Sequence, residues 1–99
     1  MDIKINSVHF DADKKLLKFV NDKISKLVRF YESIIGAEVF LRLENTQELE
    51  NKVAEIKLII PGNDFFAKKQ SKSFEEATDN AVEALRQQII KHKDKIKGI

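Results

Sequence analysis

The 99-residue sequence has no cysteine and no tryptophan, a single proline, a single tyrosine and three glycines. Without cysteine, disulfides, thiolate metal sites and cysteine nucleophiles are excluded, and a reducing cytoplasm suits the composition. Gly36, Gly62 and Gly98 each stand alone, so there is no glycine-rich loop to cradle a phosphate. No apolar run approaches the roughly 18 residues of a membrane span, and the opening MDIKINSVHF mixes charges among its apolar residues. The expectation is a soluble cytoplasmic protein with no membrane contact. The length allows one domain with one modest core, because a chain this short buries roughly two-thirds of its unfolded surface.

Catalytic and metal-binding signals are equally sparse. Ser7, Ser25, Ser33, Ser71 and Ser73 read as strand, cap or loop residues, and none has a base partner that spacing would suggest. His9 with Asp11 and Asp13 offers three candidate ligands in one turn, too few without thiolates or a second histidine, so no metal and no cofactor are expected. The phenylalanines Phe10, Phe19, Phe30, Phe40 and Phe74 read as core, which leaves no exposed aromatic platform for stacking bases.

What is present is charge, unevenly placed. The net charge is +2, but residues 14–29 carry Lys14, Lys15, Lys18, Lys23, Lys26 and Arg29 against Asp22 alone, a local +5. Residues 86–97 add +4, so everything else sums to −7. Two basic segments on an otherwise acidic chain create a directional field that a polyanion would feel more than the total.

Residues 73–97 form the stretch around which the rest is organised. Ser73 with Glu76 three residues later is a capping-box start. Phe74, Ala77, Ala81, Val82, Leu85, Ile89 and Ile96 recur at helical spacing as one apolar face, with His92 on that side as a partly buried histidine. Glu75, Glu76, Asp79 and Glu83 make its first half −4, while Arg86, Lys91, Lys93, Lys95 and Lys97 dominate the second. Acid first and base last complements the helix macrodipole at roughly 0.3–1 kcal/mol per charge. That accounts for the order of signs, not for the density of lysines.

Upstream, residues 2–8 alternate loosely as a half-buried strand, with Ile3 and Ile5 on one face. Asp13 is a good N-cap for a helix reaching about Phe30, with Asp11 as the competing start. Leu16, Phe19, Val20, Ile24, Leu27 and Val28 form its apolar side, and Lys14, Lys15, Lys18, Lys26 and Arg29 a basic sector roughly 120° wide. Lys23 falls near the apolar side, its stem on the core and its ammonium in water. From Gly36, Ala37, Val39, Leu41 and Leu43 alternate as the clearest strand. A polar turn over Asn45 to Asn51 precedes a second, carried by Ala54, Ile56, Leu58 and Ile60. Pro61, Gly62, Asn63 and Asp64 signal a turn, and Phe65 to about Ser71 the last strand, whose phase FFAKKQSK leaves open between Phe65 and Phe66. The fold class is therefore α+β, β-α-β-β-β-α, with a parallel first pair, an antiparallel meander, and both helices on one face of a four-stranded sheet. The basic sides of the helices should then face outward together.

With that order, three segments resemble the short ribosome hibernation promoting factors, a family also called ribosome-associated inhibitor or sigma-54 modulation proteins. The helix start Asp13 to Val20, the run Lys23, Ile24, Ser25, Lys26 and Leu27, and the end Leu85, Gln88, Ile89, Lys91, His92, Lys93, Asp94 and Lys95 carry the likeness. The family's tyrosine near the start of the last helix is missing, since Ser73 to Asp79 reads SFEEATD. The resemblance implies binding to ribosomal RNA of the small ribosomal subunit around the decoding channel, where messenger and transfer RNA are blocked. It places Lys23, Lys26, Lys91, Lys93 and Lys95 at basic RNA-binding positions; Lys18, Arg29 and Arg86 extend that patch on charge alone. Longer relatives carry a second domain that pairs ribosomes, so the expectation here is a single ribosome-binding domain without it and a monomer when free; the sparse catalytic signals add that it is not an enzyme.

Two rivals remain. A generic double-stranded RNA-binding module has a similar meander followed by a helix. A small hydrolase of acylphosphatase type has nearly this length, but should end in a strand and place an arginine and an asparagine round a phosphate loop.

Overall fold

Asp13 starts the first helix as its N-cap: the backbone is extended there (φ −78°, ψ 170°) and the carboxylate accepts the Leu16 N–H at 2.8 Å. Ser73 does the same for the last helix, its Oγ accepting the Glu76 N–H at 3.0 Å. Each cap satisfies a backbone donor that the helix itself leaves open, worth about 1 kcal/mol. The computed structural model describes residues 2–44 and 47–97, with side chains as far as Lys95. Its elements are β1 (Asp2–Val8), α1 (Lys14–Phe30), β2 (Gly36–Leu43), β3 (Lys52–Ile60), β4 (Asn63–Ser71) and α2 (Phe74–Lys97).

The strands lie in the order β1-β2-β3-β4. β1 pairs with β2 in parallel, Ile3 opposite Ala37 and Ile5 opposite Val39, and the remaining pairs are antiparallel. The expected architecture is thus the observed one. Parallel neighbours need a long crossover, which α1 supplies, whereas a tight turn suffices for β3 and β4. Pro61 and Gly62 alone make that turn, with Gly62 at φ 78° and Ile60 opposite Asn63. Asn63 and Asp64, expected in the turn, therefore belong to the strand.

Alternation divides the sheet into two faces. Ala37, Val39, Leu41, Ala54, Ile56, Leu58, Ile60, Phe65 and Ala67 point into one core with Leu16, Val20, Ile24 and Leu27 of α1 and Ala77, Ala81, Leu85 and Ile89 of α2. Register settles the phase of β4: Phe65 lies opposite Leu58 and is 5% exposed, while Phe66 lies opposite Lys57 and is 52% exposed. Phe40, read as core from sequence, is also on the open face at 36% exposure, because it follows Val39 on a strand whose odd-numbered residues point inward. Asn45 of the expected polar turn, the Ile96 and Lys97 side chains, and Gly98 lie outside the described residues.

Candidate nucleic-acid interface

The two helices lie side by side and run in the same direction, since their contacts advance together: Lys23 meets Asp79, Phe30 meets Arg86, and Tyr31 meets His92. Both C-termini consequently lie at one end of the molecule. That arrangement puts Asp79 to Arg86 of α2 beside the last turns of α1 and carries the rest of its basic second half past the end of α1. Arg86 complements the negative end of the α1 dipole, and Lys95 in the last turn of α2 complements that of its own helix.

Between the helices runs a groove of about 400 Å³, lined by Lys23, Lys26, Phe30, Asp79, Glu83 and Arg86, together with Leu27 and Val82. On α1 the groove side is the stripe Phe19, Lys23, Lys26 and Phe30, spaced i, i+4, i+7 and i+11, which helical geometry holds within about 60°. The Lys23 ammonium is 3.0 Å from the Asp79 carboxylate and 5.2 Å from the centre of the Phe19 ring. Further along, the Arg86 guanidinium lies 4.7 Å and the Lys93 ammonium 5.0 Å from the centre of the Phe30 ring. Lys93 is also 5.9 Å from the centre of Tyr31.

The expected cations do not form one outward stripe. Lys23, Lys26, Arg86 and Lys93 gather round the groove, Lys93 because it follows Arg86 by seven residues and so lies within about 20° of it on the helix. Lys91 and Lys95 are exposed on the opposite flank of α2, roughly 140–180° round from Arg86. Lys18 and Arg29 face outward on α1, about 100° from the groove stripe. Lys18 is further tied to Asp22 at 2.9 Å, an i,i+4 pair whose members are 77% and 54% exposed. Such exposed pairs contribute at most a few tenths of a kcal/mol, so Lys18 is held only loosely.

The sequence model of the sigma 54 modulation protein / S30EA ribosomal protein family matches residues 3–97. The chain belongs to that family. Similar curated relatives are ribosome hibernation promoting factors: that of Klebsiella oxytoca is 27% identical over 98% of each chain, and that of Azotobacter vinelandii 30% identical over 96% of this chain and 85% of its own. Among solved structures, a ribosomal subunit interface protein from Coxiella burnetii superposes with a TM-score of 0.83, covering 94% of this chain and 98% of its own at 18% identity. The N-terminal domain of Thermus thermophilus Protein Y gives 0.76, covering 90% and 96% at 24% identity. These likenesses are in fold.

In this member of the S30EA family, sequence reasoning missed the groove's aromatic floor and its carboxylates. Phe30 reads as core by periodicity, yet it is only half-buried and supports two cations. The i, i+4, i+7, i+11 run of Phe, Lys, Lys, Phe was the available signal. Asp79 and Glu83 read as dipole complement, although both line the groove. His92 is where periodicity puts it, its ring edge-on to Phe65 and Tyr31 at 5.4 Å and 6.2 Å between centres.

Proposed function

We propose that the chain is a ribosome hibernation factor that binds ribosomal RNA of the small subunit near the decoding channel and there blocks messenger and transfer RNA. Family membership and the names of its relatives support ribosome association. The observation that carries the site is the gathering of Arg86 and Lys93 over Phe30, beside Lys26, where α1 ends, with Arg29, Lys91 and Lys95 on the flanks. Lysine and arginine neutralise phosphates and release counterions, so affinity should fall steeply with salt, by roughly 0.7–0.9 logarithmic units per neutralised phosphate per tenfold increase. Two helices at fixed spacing suit a folded RNA, which is recognised largely by shape and phosphate placement. The protein acts by occupying a site, without a cofactor, in the cytoplasm where ribosomes work, and is a monomer when free.

Co-sedimentation with small subunits and whole ribosomes across a salt series, with duplex RNA at equal phosphate concentration as competitor, tests this. Retention at physiological salt despite the duplex is the expected result. Loss to the duplex would leave a general double-stranded RNA-binding module, and no association at low salt would contradict RNA binding altogether.

A further inference from the structure

A cation can be held in place in two ways, and they differ in what they leave for a phosphate. Lys18 on Asp22, Lys23 on Asp79, Arg42 on Glu55 and Lys57 on Asp64 are each held by a carboxylate. That partner cancels the charge it positions. Arg86 and Lys93 are held over the Phe30 ring at 4.7 Å and 5.0 Å, and a ring's quadrupole attracts a cation while leaving the net charge intact. The same ring lets two like charges share one site, which water alone would not favour. It is anchored in turn, since one side of Phe30 packs against the core cluster.

We infer that Phe30 is a positioning residue of the interface: it fixes Arg86 and Lys93 of α2 beside Lys26 of α1 as oriented, un-neutralised cations for RNA phosphates. The inference rests on the ribosome-binding reading above. A guanidinium held over a ring keeps its N–H donors available for a phosphate, which suits Arg86 to a bidentate contact and Lys93 to a point-charge contact. The arrangement confers selectivity, because fixed cations fit one phosphate spacing, whereas mobile ones of equal number serve any duplex.

Phe30→Leu keeps the net charge and most of the burial but removes the ring face; Phe30→Tyr restores it. For Phe30→Leu, affinity for small subunits should fall about three- to tenfold, affinity for duplex RNA should change by less than about twofold because the charges remain, and Phe30→Tyr should recover the loss. Added to Arg86→Gln and Lys93→Gln together, Phe30→Leu should weaken binding by less than about twofold, since it acts through those two residues. In the free protein, upfield ring-current shifts of the Arg86 δ and Lys93 ε protons should vanish in Phe30→Leu and persist in Phe30→Tyr. A lower melting temperature with unchanged ribosome affinity, or equal weakening on both RNAs, would make Phe30 merely structural and overturn the inference. If the wild-type protein fails to bind ribosomes while the ring-current shifts are present, the functional reading falls and takes the role of Phe30 with it. If the wild type binds and Phe30→Leu binds equally well, only the role of Phe30 falls.

Discussion

On the open face of the sheet the four lysines and arginines are matched by four carboxylates, whereas round the groove Lys23, Lys26, Arg86 and Lys93 outnumber Asp79 and Glu83, and Lys26, Arg86 and Lys93 have no carboxylate in ion-pair distance among the described residues. Across the strands Lys4 lies opposite Glu38, Glu38 opposite Lys57, and Glu55 opposite Lys68. Arg42 is paired with Glu55, and the Lys57 ammonium lies 3.5 Å from the Asp64 carboxylate. With Asp2, that face holds four residues of each sign and presents almost no net field. Similar residue types thus yield a neutral surface in one place and a basic one in the other. Cross-strand register interleaves the signs, while helical spacing at 86 and 93 stacks cations in a row.

The sharpest break of this contrast is reversal of charge on either side. Changing Lys26, Arg86 and Lys93 together to glutamate should weaken binding to small subunits by at least about a hundredfold and cut the salt slope by about three, one for each phosphate no longer neutralised. The helical circular dichroism should be retained, because none of the three belongs to the buried core. Changing Lys57 and Lys68 to glutamate makes two of the same reversals, against three in the groove, on the neutral face and should shift affinity by less than about threefold, the screened long-range part alone. Comparable losses from both variants would remove the distinction.

A smaller effect sharpens the comparison inside the groove. Asp79 neutralises Lys23 and adds a negative charge beside the cations. Asp79→Asn should therefore raise affinity about two- to fivefold at low salt, roughly the value of one partly exposed charge, and titration over a salt series would show the gain fading as salt rises. Lys18→Gln should have a smaller effect, less than about twofold, since its ammonium faces away from the groove beside Asp22.

The smallest expected effect on binding is none, with a gain in stability. Thr78 is fully buried on α2 and its Oγ1 has no hydrogen-bond partner among the described residues. Thr78→Val removes an unpaired buried hydroxyl with little change of shape, so denaturant unfolding should show about 1 kcal/mol more stability with unaltered ribosome affinity. Lower stability would mean that the hydroxyl is satisfied.

Much of the fold could be read from the sequence because local signals agreed. Alternation through 37–43 and 54–60 fixed the central strands, and Asp13 and Ser73 marked the helix starts now seen as caps. The start of β4 and the phase of Phe65 and Phe66 were not readable, since both depend on pairing with β3 rather than on any pattern within FFAKKQSK. The site divided along the same line. Which residues carry charge is local information, and the basic segments stood out. Which charges meet depends on the mutual register of α1 and α2, so the Lys23 to Asp79 pair and the two-cation seat on Phe30 emerged only with the structure.

The most direct test of the central claim is amine footprinting: lysine acetylation rates measured by mass spectrometry for the free protein and for the protein bound to small subunits. The account predicts strong protection at Lys23, Lys26 and Lys93, partial protection at Lys91 and Lys95, and unchanged reactivity at Lys57 and Lys68. Protection of Lys57 and Lys68 with Lys26 and Lys93 still reactive would put the RNA on the open sheet face and contradict the account.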